Sequence, residues 1–122
     1  VAEEPKPLFW IGASRKKLSA FPDEVKDVMG HALYLAQAGE KSPAAKPLKG
    51  FGSAGVLEIV DDHDGDTFRA VYTVRFAGAV YVLHAFQKKA KRGIATPAKD
   101  IETIKERLKA AEAHHRSKER KA

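Results

Sequence analysis

Residues 56–89 read VLEIVDDHDGDTFRAVYTVRFAGAVYVLHAFQKK, and this stretch decides the fold. Residues 56–60, apolar apart from Glu58, read as a strand. Residues 61–66 are a turn in which Asp64-Gly65 is a two-residue hairpin signal, because both positions must tolerate positive φ. Residues 68–76 alternate, with Phe68, Ala70, Tyr72, Val74 and Phe76 on one side and Arg69, Val71, Thr73 and Arg75 on the other. Ala77-Gly78 then turns the chain into a third strand over residues 80–86. Links this short force the three strands to run antiparallel.

Working outward, residues 8–11 follow two prolines and read as a first strand. Ser14 is placed to cap a short helical stretch ending near Phe21. Pro22 opens a longer helix, where its missing N–H costs nothing, and Asp23 and Glu24 suit the positive end of the dipole. Val25, Val28, Met29, Ala32, Leu33 and Ala36 recur at helical spacing, and Gly39 stops the helix. Residues 40–55, rich in Gly, Pro and Ser, read as an extended loop. Downstream, Thr96 is placed to cap a helix with Pro97 at its first position and an apolar stripe of Ile101, Ile104, Leu108 and Ala111. Beyond His114 the sequence is polar and is expected to fray.

The fold class is therefore α+β: strand, two helical segments, three hairpin-linked strands and a C-terminal helix around a small antiparallel sheet. The chain has 122 residues, within the range of roughly 100–200 expected of one domain. About residues 7–112 should pack, with 1–6 and 116–122 flexible. The N-terminal helices should cover one face of the sheet and leave the other, which carries Arg69, as a working surface.

Composition narrows the chemistry. There is no cysteine, which excludes disulfides, thiolate zinc sites, iron–sulfur clusters and Cys nucleophiles. Apolar runs stop well short of the ~18 residues of a membrane span, and no basic segment followed by an apolar run opens the chain. A cytoplasmic protein is expected; Val1 in place of Met reads as a processed or trimmed start. The formal charge is +6, and its distribution is uneven: residues 88–122 carry 12 basic and 5 acidic side chains, while residues 1–87 carry 10 and 11. Clustered positive charge suits a phosphate backbone or an acidic protein. The run Lys88, Lys89, Lys91 and Arg92 directly after a strand is its densest part.

Other chemistries fail on spacing. Asp61, Asp62, Asp64 and Asp66 do not fit a calcium loop: with Asp62 as the first ligand, Gly65 falls at the fourth position and Thr73 at the twelfth. No metal site is expected, and no Gly-x-Ser-x-Gly elbow, Walker loop or dinucleotide fingerprint is present. What remains is basic chemistry on a sheet. Lys49, Arg69, Lys88, Lys89, Lys91 and Arg92 could hold RNA phosphates, with His84 beside them and Phe86 available for base stacking. Arg69 reads equally as the partner of Glu58 across the hairpin, and His84 and Phe86 as core residues.

The segments Lys46-Pro47-Leu48-Lys49-Gly50, Phe68-Arg69-Ala70-Val71-Tyr72, Val80 through Lys89, and Thr96-Pro97 before Asp100-Ile101 together resemble the RelE/ParE toxin superfamily, in particular its HigB-like, phage-derived branch. The resemblance spans about residues 7–112 and implies a small antiparallel sheet flanked by helices. It also implies the toxin of a type II toxin–antitoxin pair: an endoribonuclease that cuts mRNA in the ribosomal A site without a metal or other cofactor. Its cognate antitoxin would be a helix-turn-helix DNA-binding protein. Arg69 matches a strand arginine that holds the scissile phosphate, and Lys88 or Lys89 a basic residue at the last strand's exit. Lys49 matches the basic loop ahead of the sheet. No tyrosine follows Tyr81 to match the one that several RelE enzymes carry there. His84 is the local candidate for proton transfer, since an imidazole titrates near neutral pH. Two alternatives stay open, a ParE-like protein that poisons DNA gyrase and a non-catalytic RNA- or protein-binding module.

Overall fold

A computed structural model describes residues 4–52, 55–88 and 96–121. The chain runs β1 (Leu8–Trp10), α1 (Ser14–Ser19), α2 (Asp23–Gln37), β2 (Ala45–Pro47), β3 (Val56–His63), β4 (Asp66–Thr73), β5 (Val80–Lys88) and α3 (Ala98–Lys121). The α+β class, both N-terminal helices, the three-strand meander and the C-terminal helix stand as read from the sequence. The five strands form one sheet in the order β1-β5-β4-β3-β2.

The hairpin between β3 and β4 turns tightly on Asp64 and Gly65, both at positive φ, and pairs His63 with Asp66. The strands consequently run further toward the turn than expected. The second strand stops at Thr73, so Val74, Arg75 and Phe76 lie outside it. Antiparallel pairing covers β2 through β5, whereas β1 pairs parallel with the start of β5, Leu8 opposite Val80. The stretch expected to be loop contributes β2, whose Ala45 lies opposite Ile59 at the sheet's edge, where Pro47 removes no needed donor.

Both faces of the sheet are covered. On one, Leu18 and Phe21 and the buried stripe of α2 (Val25, Met29, Ala32, Leu33 and Ala36) pack on Ile59, Phe68, Ala70 and Tyr72. On the other, Ile104 and Ala111 of α3 bury against Val56, Val71, Tyr81 and Leu83. The open working face expected around Arg69 is thus a correction: the apolar stripe of α3 needs a surface to bury against, and this face supplies it.

Packing also continues past residue 112. His114 Nδ1 lies 2.8 Å from the Tyr81 hydroxyl, the His115 ring lies 5.2 Å from that of Phe76, and the Lys118 ammonium sits 4.2 Å from the Phe9 ring centre. Two caps differ from expectation. Ser14 is buried and donates to the Val82 carbonyl at 3.2 Å instead of capping α1. Thr96 reaches sideways to Glu58 and Arg69, and α3 begins at Ala98. Among the described residues no helix is long and apolar enough to cross a membrane.

Candidate functional site

One irregularity shapes the far half of β5. Val71 pairs with His84 and Tyr72 with Val82, which leaves Leu83 as an extra residue. This bulge breaks the alternation, so Leu83 packs in the α3-side core while His84 also turns toward α3. Without it, the odd-numbered Leu83 and the even-numbered His84 would point to opposite faces.

His84 is buried, and both ring nitrogens are engaged from α3. Nε2 lies 2.8 Å from Asp100 Oδ1, and Arg107 Nη1 lies 3.2 Å from Nδ1. The same Arg107 nitrogen donates to the Leu83 carbonyl at 3.0 Å. A guanidinium can only donate, so Nδ1 accepts and Nε2 carries the proton that faces the carboxylate. Burial pushes the imidazole below its usual range; the Asp100 bond opposes this, and the charges of Arg107 and Lys17 add to the lowering. The ring stacks on Phe86, centres 4.9 Å apart and planes 24° from parallel.

A cleft of about 380 Å³ opens beside this pair, lined by Lys17, Ala20 and Phe21 from α1 and its exit, by residues 84–87 of β5, and by Lys99 and Asp100 of α3. It exists because β1 covers only the first residues of β5. Two lysines from different elements thus line the same cleft as a half-buried phenyl ring. Such a groove can hold an anionic chain and stack a planar ring.

Arg69 stands opposite Phe86 across the β4–β5 ladder. Its side chain is only 7% exposed, and Nη1 donates to Glu58 Oε2 at 3.3 Å and to Thr96 Oγ1 at 3.2 Å. Glu58 also receives Thr96 Oγ1 at 3.3 Å and lies 4.0 Å from Lys46. The ion-pair reading of Arg69 is therefore the one realised, and its guanidinium sits within the sheet–α3 layer, away from the open cleft.

Of the residues expected to act together, His84, Phe86 and Lys88 share the far half of β5, with Arg69 behind them. Lys49 follows β2, on the opposite edge of the sheet and at its opposite end, so it does not join them. Lys89, Lys91 and Arg92 lie outside the described residues. Sequence reading missed Lys17, Lys99, Asp100 and Arg107. A signal for the last two was present: both fall in helical register with Ile104, Leu108 and Ala111, and charges inside an apolar stripe mark buried polar contacts. The aspartate-rich turn behaves as a hairpin, with Thr67 Oγ1 donating to Asp62 at 3.0 Å, and no cluster of metal-ligating side chains occurs among the described residues.

Residues 16–109 match the family described as phage-derived protein Gp49-like. No curated protein matches the sequence. Among solved structures, a chain of the RelBE2 toxin–antitoxin complex from Mycobacterium tuberculosis is similar at 17% identity, covering 70% of this chain and 93% of that one, with a TM-score of 0.46.

Proposed function

The chain belongs to the Gp49-like family of phage-derived proteins, and from that premise we propose that it is a RelE-type toxin of a toxin–antitoxin pair that acts as an endoribonuclease on mRNA. The observation that carries the reading is the cleft beside the far half of β5, which Lys17, Lys99 and Phe86 line together. Single-stranded RNA is held by stacking its splayed bases on aromatic rings and by neutralising its backbone, and this groove supplies both. Its β5 wall, residues 84–87, and Asp100 fall in the segments that resemble the RelE/ParE superfamily, which gives the reading its direction.

In the proposed reaction the ribose 2′-oxygen attacks the adjacent phosphorus. The new O2′–P bond forms as the P–O5′ bond breaks, leaving a 2′,3′-cyclic phosphate and a 5′-hydroxyl. The 2′ proton passes to a base, and a proton is delivered to the departing O5′. Cationic side chains stabilise the charge that builds on the phosphoryl oxygens. Lys88, Lys17 and Lys99 take this role, joined by Lys89, Lys91 and Arg92. Arg69 stands opposite Phe86 on the neighbouring strand with its charge paired to Glu58, so its proposed part is to hold that strand and α3 together beside the cleft. We further propose that the target is mRNA on the ribosome, that no metal takes part, and that a cognate antitoxin with a helix-turn-helix DNA-binding fold neutralises the protein in the cytoplasm.

The test is incubation of the purified protein with ribosomes programmed with a defined mRNA, in chelator. Fragments ending in 2′,3′-cyclic phosphate support the proposal; intact mRNA at saturating protein contradicts it. A second reading, RNA binding without cleavage, is favoured by one observation: both His84 nitrogens are already bonded. RNA retained on the protein with no new ends would select it.

A further inference from the structure

His84 is the one imidazole lining the cleft, and the obvious role for it is to carry a proton. The geometry points elsewhere. A proton carrier needs one nitrogen aimed at substrate. Here Asp100 takes the Nε2 side and Arg107 the Nδ1 side, both from α3, and the ring's flat side lies on Phe86.

Arg107 is itself held in place. Its guanidinium lies against Gly12 so closely that a Cβ there would come within 2.8 Å of Arg107 Nε. Gly12 has φ +59, where glycine is favoured, and it belongs to the turn between β1 and α1. The guanidinium therefore touches three parts of the fold: the β1–α1 turn, the Leu83 carbonyl at the bulge, and the His84 ring. Asp100 sits in the first turn of α3, where a carboxylate also suits the helix dipole. The charged groups facing His84 are thus Lys17 from α1 and Asp100 and Arg107 from α3.

We infer that Asp100 and Arg107 are positioning residues that hold His84 as its neutral, Nε2-protonated tautomer flat against Phe86, so that the two rings form one rigid wall on which a nucleobase of single-stranded RNA stacks. The inference deepens the reading of the cleft given above and rests on it for the identity of the ligand. It assigns the proton transfers to groups other than His84. A rigid wall favours binding because the ring loses little freedom when a base settles on it. A neutral wall leaves the phosphates to the flanking lysines.

Two measurements test it. Long-range proton–nitrogen NMR spectra of the folded protein near neutral pH should show His84 with Nε2 protonated and Nδ1 bare. An imidazolium, or a proton on Nδ1, overturns the inference without reference to RNA. The second is anisotropy of a fluorescein-labelled single-stranded oligoribonucleotide with 2′-O-methyl riboses, which the proposed reaction cannot cut. Asp100→Ala should weaken binding about tenfold, the scale of one base–aromatic stack. Asp100→Asn, whose amide oxygen still accepts from Nε2, should restore it to near wild type. Equal binding by wild type and Asp100→Ala overturns the inference, as does failure of Asp100→Asn to rescue. Absence of binding by the wild type itself refutes the RNA reading of the cleft, and the NMR result still decides the tautomer.

Discussion

Arg69 and Glu58 form an ion pair at 3.3 Å inside the layer between the sheet and α3, with both side chains less than one-tenth exposed. A pair taken out of water this far stabilises only while it is complete. Removing one partner strands a charge that the interior cannot solvate. Arg69→Met should therefore lower unfolding free energy by about 3–5 kcal/mol. Arg69→Met combined with Glu58→Met should recover most of that loss. Urea unfolding of both variants checks this, and equal losses in the two would contradict it. Activity lost in an Arg69 variant consequently reports on the fold as well as on the site.

The Gly12–Arg107 approach gives a second expectation. Gly12→Ala forces a side chain into a backbone region that costs L-residues roughly 1–2 kcal/mol and pushes Arg107 from its place. Stability should fall by at least that amount. The His84 ring nitrogens should shift in the same variant, since Nδ1 loses its donor. Unchanged His84 signals in a folded Gly12→Ala protein would disprove the link.

Stability should also fall in acid on account of His84. Its pKa is lowered in the folded protein, chiefly by burial, so the unfolded chain binds the proton more readily. The stabilisation is complete above the unfolded value of about 6.5 and is lost as pH falls through the folded value. Thermal melts should show a decline in that window that is shallower in His84→Asn. A steeper decline in the variant would contradict the assignment.

The C-terminal end of α3 is a further test of the packing. His114 and His115 rest against Tyr81 and Phe76, and Lys118 against Phe9. Amide hydrogen exchange should show protection continuing through His115. Exchange at the free-peptide rate from residue 113 onward would mean that the helix frays where its polar sequence suggests.

The difference between what could and could not be read in advance has a physical pattern. Residues 23–37 announce a helix because one side is continuously apolar, and Asp64-Gly65 announces a hairpin because few other dipeptides accept its dihedral angles. Both signals are local. β2 is three residues long and ends in proline, so nothing in its own sequence separates it from loop; its pairing with β3 creates it. The Leu83 bulge shows only in the pairing of β5 with β4, and strict alternation would put His84 on the same face as Val80 and Val82, away from α3. Arg69 looked exposed because its strand alternates. The stripe Ile101, Ile104, Leu108 and Ala111 was visible, yet which face it covers depends on the chain's return path. The candidate cleft shares this character: Lys17, Phe86 and Lys99 lie far apart in sequence and meet only because β1 ends early.

The central claim is that this cleft directs the cutting of mRNA, and the most direct measurement maps mRNA 5′ ends after brief induction of wild type and of Phe86→Ala. Phe86 is half-buried and carries no charge, so its loss tests the cleft without stranding an ion. The account expects new ends within translated frames in the wild type, reduced about tenfold or more in the variant. Growth arrest without new ends, or the same ends at undiminished level in folded Phe86→Ala, would contradict it.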